Sequence, residues 1–150
     1  MKKLIIALSV ITSIFFISNE AKSQSNEKAA VETLVRSYFD ALNASDVNKV
    51  ASLFTADGVL LATGAPTALG NEQVKGTFQY VFDNFKYNLQ VTIGDVTVAG
   101  KYAFVSSTSK GTYVVKATGQ TAPDEYRELF VIEKVKGDWK IARYMYNRAK

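Results

Sequence analysis

The sequence predicts an α+β domain: three N-terminal helices packed on one side of a curved antiparallel sheet, with an internal cavity between the layers. Three observations carry this. Apolar residues recur at helical spacing over 26–43 and again over 71–85. From Lys86 onward the apolar period changes to two. Turn signals at Ala99-Gly100-Lys101 and Lys136-Gly137-Asp138 then cut the second half into long strands. Helices first and strands afterwards is the order of an α+β fold.

Length and composition set the frame. The chain has 150 residues, of which 47% are apolar and 21% charged, which suits one domain with a core of its own. It has no cysteine and no histidine. Disulfides, thiolate metal sites and imidazole acid–base chemistry are thereby excluded, and neither a metal nor a cofactor is expected.

Residues 1–23 read as a signal peptide. Lys2 and Lys3 form a positive start, Leu4 to Ile17 is an almost unbroken apolar run, and Ala21-Lys22-Ser23 offers small residues at the two positions that a signal peptidase reads. A spanning helix needs about 20 apolar residues, so the run is short for one. The expectation is an exported protein, periplasmic or secreted, whose mature domain is residues 24–150. Its removal takes Lys2, Lys3, Lys22 and Glu20 from the formal charge of +4, leaving +2. No basic stripe remains, so neither nucleic acid nor, after cleavage, a membrane is an expected partner.

Each element can be justified in order. In the first helix Val31, Leu34, Val35, Tyr38 and Leu42 share a face. Asn43-Ala44-Ser45 breaks it, and Ser45 or Asp46 can cap a second helix. That helix has Val47, Val50, Ala51 and Phe54 inward, and Gly58 is placed to end it in the left-handed conformation. (Asn43-Ala44-Ser45 is also a glycosylation sequon, read here as chance in a tight turn.) Val59 to Ala62 is a short strand and 64–70 a loop. Asn71 opens the third helix, with Val74, Phe78, Val81, Phe82 and Phe85 on its face. Strands follow from Lys86, with a change of phase at Gly94-Asp95 that predicts a bulge. The others run from Tyr102 to Lys116, which carries small hydroxyl residues in its middle, from Tyr126 to Val135, and from Trp139 to Arg148.

The order of elements now resembles a known superfamily. The run Ala41-Leu42-Asn43-Ala44-Ser45-Asp46, the run Leu53-Phe54-Thr55-Ala56-Asp57-Gly58, Gly70 before the third helix, and Gly137-Asp138-Trp139-Lys140-Ile141 are similar to the nuclear-transport-factor-2-like fold. Within it the pattern is nearest to SnoaL-like, ketosteroid-isomerase-like and SgcJ/EcaC-type bacterial proteins. The resemblance implies a cone-shaped sheet wrapped around three helices, and it covers nearly all of 26–148. It implies no single function, because such folds host isomerases, dehydratases, cyclases and members without chemistry.

Site residues carry over one at a time. By resemblance Tyr38 matches a helix-one tyrosine that donates to a substrate oxyanion, and Glu128 falls near a late-strand acid that is the second donor. The place of the carboxylate base holds Leu61 and Ala62. Catalysis by Tyr38 and Glu128 is therefore half-equipped. On strand parity either Glu128 or Arg127 lines the cavity, or both are edge charges. Arg143 shares parity with Trp139 and Ile141, which would bring it to the cavity mouth. Phe54, Leu61, Phe78, Phe82, Phe130 and Trp139 complete the expected apolar lining. Tyr144 and Tyr146 are read as an outer face that, by resemblance, would suit a homodimer contact. The leading expectation is a non-enzymatic exported domain binding a small, largely apolar molecule. An isomerase, lyase or cyclase acting on a carbonyl compound, and a dimeric interaction module, stand beside it.

Overall fold

The computed structural model describes residues 2–149, with side chains from residue 22 onward, so residues 1–21 of the expected signal lie outside the described side chains. Among the described residues there are three helices, α1 (Lys2–Ala44), α2 (Val47–Leu53) and α3 (Gly70–Asn84). Six strands accompany them: β1 (Phe54–Leu61), β2 (Ala68–Leu69), β3 (Phe85–Ala99), β4 (Tyr102–Val115), β5 (Gln120–Val135) and β6 (Asp138–Arg148). They form one sheet in the order β2-β1-β6-β5-β4-β3. Among the described residues no helix is long and apolar enough to cross a membrane.

The α+β class and the curved sheet over helices stand as expected, with one refinement. The sheet is mixed, because β1 runs parallel to β6. β2, α3 and the β3–β5 meander lie between those two strands in the chain, which supplies the long crossover a parallel pair needs. The other pairs are antiparallel.

The predicted face of α1 is the buried one. Val31, Leu34, Val35, Tyr38 and Leu42 all lie in the core, joined by Phe39. Ser45 takes the left-handed conformation (φ 56°) that turns the chain. Asp46 is the cap of α2: its carboxylate accepts from the Lys49 backbone N–H at 2.9 Å. The strand then starts at Phe54, not Val59, and Gly58 is not at positive φ. Its role is steric. A Cβ there would meet the Thr55 carbonyl at 3.0 Å and Phe54 Cβ at 3.1 Å, inside the irregularity between Phe54 and Val59. Ala68 and Leu69, read as loop, pair with Leu60 and Val59.

The sheet's curvature has local causes. Pairing jumps from Ile93↔Ser107 to Val96↔Val105, so the bulge expected at Gly94-Asp95 is present. β5 begins six residues earlier than predicted, at Gln120, and takes Pro123 into the ladder opposite Thr112. β6 ends opposite Tyr126, so this leading part of β5 is a sheet edge, where proline is tolerated. A second bulge, invisible in the sequence, lies at Ala142: Val131 pairs Arg143, yet Ile132 pairs Ile141.

One contact ties the helix layer to the sheet. The Asn43 carboxamide donates to the Leu89 carbonyl and accepts from the Leu89 N–H, both at 2.8 Å. Leu89 is on the edge strand β3, and its backbone groups face away from β4, so the side chain stands in for a missing strand. Both ends of the Asn43 amide are thereby engaged. Asn43→Ala should cost about 1–2 kcal/mol, measured as a lowered urea midpoint at unchanged slope.

Candidate functional site

Between α1, α3 and the concave face of the sheet is a cavity of ≈ 40 Å³, counted as the volume open to the centre of a water molecule. On that measure it holds about three water molecules, and because the pocket is partly open a ring-sized ligand fits only by extending through its mouth. Its apolar wall comes from Phe39 and Leu42 of α1, Leu60 of β1, Phe78 and Val81 of α3, and Leu89 of β3. Tyr38, Tyr87, Tyr126, Tyr144 and Tyr146 line the rest.

Glu128 is the carboxyl group in this cavity. It is 5% exposed. Its two oxygens accept from the Ser107 and Ser109 hydroxyls, each at 2.5 Å. The cause is strand geometry: Glu128 sits opposite Ser107 in the β4–β5 register, and side chains of one parity share a face. Burial raises the carboxyl above its ordinary value, and the two serine hydrogen bonds pull it back in part. Among the described residues no lysine or arginine lines the cavity.

The tyrosines form a continuous wall. Tyr38 and Tyr144 have ring centroids 5.0 Å apart, Tyr144 and Tyr146 5.4 Å, and Tyr146 and Tyr126 5.2 Å. Behind them Phe130 stacks on Tyr144 at 4.2 Å. Burial holds the Tyr38 and Tyr144 phenols well above their ordinary value, and it pushes Tyr87 up to about 12. All three therefore stay protonated and able to donate near neutral pH. The Tyr126 hydroxyl is already committed, donating to the Asp124 carboxylate, which Arg148 also approaches at 3.4 Å.

The structure brings together Tyr38, Phe78 and Glu128 of the predicted lining. It settles the parity of β5: Tyr126, Glu128, Phe130 and Ile132 point inward. Arg127 is on the outer face, where its Nε donates to the Asn147 side chain at 3.1 Å. Arg143 is also outside, 3.8 Å from Asp57, because the Ala142 bulge reverses the parity of β6 beyond Ile141. The same reversal turns Tyr144 and Tyr146 into the cavity, not onto an outer face. Leu61 is 38% exposed, and Leu60 faces inward instead. Phe54, Phe82 and Phe130 are buried in the core around the cavity rather than on its wall. Trp139 is elsewhere: its indole N–H donates to Glu27 at 2.8 Å, beside the Lys134–Glu27 pair.

Sequence reasoning missed Ser107, Ser109, Tyr87, Tyr126, Tyr144 and Tyr146. A signal existed for the serines, since they alternate in phase with Ala103 and Val105 in the hydroxyl-rich centre of β4. None existed for Tyr144 and Tyr146, because their inward placement depends on the bulge. Among the described residues no group of three acidic side chains could hold a metal.

A family profile described as a SnoaL-like domain matches residues 35–144. Among solved structures, a ketosteroid isomerase-like protein from Erwinia carotovora atroseptica is 33% identical, with 83% of this chain and 97% of that one covered and a TM-score of 0.79. A conserved protein from Planctomyces limnophilus is 17% identical over 83% of this chain and 99% of that one, at a TM-score of 0.72. A domain of unknown function with a cystatin-like fold from Nostoc punctiforme is 18% identical over 81% and 76%, at 0.67. The last two show the fold alone. No curated protein matches the chain.

Proposed function

The chain belongs to the SnoaL-like domain family, within the nuclear-transport-factor-2-like superfamily, and from that premise we propose that it binds a small, largely apolar ligand in its cavity without transforming it. One observation carries the reading. A single carboxyl group, hydrogen-bonded on both oxygens, sits in a cavity whose other walls are aliphatic and aromatic side chains, with hydroxyls from Thr77, Ser109 and the tyrosines. Such a site holds one polar handle and an apolar body. The family's base position, at Leu61 and Ala62, offers no second carboxylate, and Asp57 is exposed and paired with Arg143. A thermal-shift series of single-ring alcohols, phenols, ketones and amines tests it. The protein should gain several degrees with at least one chemical class; no gain with any of them contradicts the proposal.

A second reading is favoured by the fact that Tyr38 and Glu128 line one cavity. Tyr38 would stabilise an enolate, and Glu128 would shuttle the proton, in an isomerase, lyase or cyclase. Tyr38→Phe and Glu128→Gln should then each slow turnover by about 100-fold or more. Unchanged rates in both variants would remove this reading.

Two further expectations belong to the same proposal. The leading apolar run and Ala21-Lys22-Ser23 support export, and the mature protein should begin at Gln24 by intact mass. The outer sheet face supports a homodimer: Leu129 pairs with Met145, Met145 with Leu61, and Phe104 lies diagonally beside Leu129, all at least 38% exposed. Light scattering at micromolar concentration should give twice the chain mass; a monomer counts against the dimer.

A further inference from the structure

The charge inside the cavity is unbalanced. Asp124, the other buried acid on β5, has Arg148 beside it. Glu128 has hydroxyl partners and, among the described residues, no cation in the cavity. A carboxylate taken out of water is costly when nothing of opposite sign accompanies it. The groups facing Glu128 from the surrounding elements are phenols: Tyr38 from α1, Tyr87 from β3, Tyr126 from its own strand, and Tyr144 and Tyr146 from β6. Phenol rings offer a negative π face to a cation. The two predicted cations, Arg127 and Arg143, both sit on the outer surface, so an anionic ligand finds no counter-charge within.

We propose that the ligand of this cavity is a small organic ammonium, a protonated amine carrying a compact apolar group, with its cation held between Glu128 and the tyrosine wall. This rests on the ligand-binding reading above and names its chemical class. The ammonium supplies the charge partner that Glu128 lacks, and its N–H groups donate to carboxylate oxygens already oriented by Ser107 and Ser109. The apolar group fills the space by Phe39, Leu42, Phe78 and Val81. A carboxylate ligand of equal shape is repelled by Glu128, and a neutral alcohol gains the walls but not the charge. No covalent step is involved.

Three probes of one shape separate the possibilities: benzylamine, benzyl alcohol and benzoate, titrated calorimetrically into the full-length mature protein at about pH 8, where Glu128 carries its charge more fully. Benzylamine should bind at least about tenfold more tightly than benzyl alcohol, with benzoate weakest. Glu128→Gln, which keeps the shape and loses the charge, should cut the preference for the amine over the alcohol to about twofold or less. Equal binding of amine and alcohol overturns the ammonium assignment and leaves the cavity reading in place. Preferred binding of benzoate overturns it as well. Binding of none of the three overturns both.

Discussion

Gly111→Ala is expected to be the most damaging single substitution in the sheet. A Cβ at this position would stand 2.0 Å from the Asn88 carbonyl oxygen and 3.1 Å from the Leu89 Cα. Both obstacles are backbone, so no side-chain rotation relieves them. Gly111 pairs with Leu89, whose outward backbone groups are held by Asn43 and whose side chain lines the cavity. Asn43, Leu89 and Gly111 thus form one line across helix, edge strand and neighbouring strand. Forcing the two backbones apart should cost about 3 kcal/mol or more. The measurement is the urea midpoint. A variant within about 0.5 kcal/mol of the native protein would show that the close approach is not needed for the fold.

Glu128→Gln should do the opposite to stability and damage binding. The native carboxyl is raised above its unfolded value of 4.5 by burial, with the Ser107 and Ser109 hydrogen bonds opposing. Below 4.5 it is protonated in both states and contributes no pH dependence. As pH rises through the window between 4.5 and the raised folded value, the unfolded chain releases the proton first, so stability falls; above that window the loss is complete. Removing the charge removes this loss. The glutamine variant should melt a few degrees higher than the native protein at about pH 8, with the difference shrinking toward about pH 4. A variant that melts lower at every pH would mean that the serine–carboxylate cluster holds the fold together instead of serving the cavity.

The helices and the long strands were legible because their signals are local. The apolar face of α1 needs only a 3.6-residue period, and Val31, Leu34, Val35, Tyr38 and Leu42 all bury as that period says. The Gly94-Asp95 bulge was legible because the phase change is written in Ile93, Val96 and Val98. What failed was non-local. The parallel β1–β6 pair joins residues from the two ends of the domain, and nothing in Phe54–Leu61 announces its partner. The Ala142 bulge leaves no phase signal, since the Tyr-Met-Tyr alternation after it is compatible with either face. That one skipped residue exchanged Arg143 for Tyr144 and Tyr146 at the cavity. It changed the expected chemistry from an arginine at the mouth to a wall of phenols around a carboxylate. Of the site itself, Tyr38, Phe78 and Glu128 could be named in advance, while the serines that orient Glu128 needed the β4–β5 register.

The cavity, not the outer sheet face, should receive the ligand. Side-chain NMR during a titration with benzyl alcohol tests it directly, since it reads both surfaces at once. Saturable shifts are expected at Tyr87, Tyr126, Tyr146 and Glu128, with Phe104, Leu129 and Met145 unmoved. Shifts confined to Phe104, Leu129 and Met145, or no shifts at saturating ligand, would contradict it.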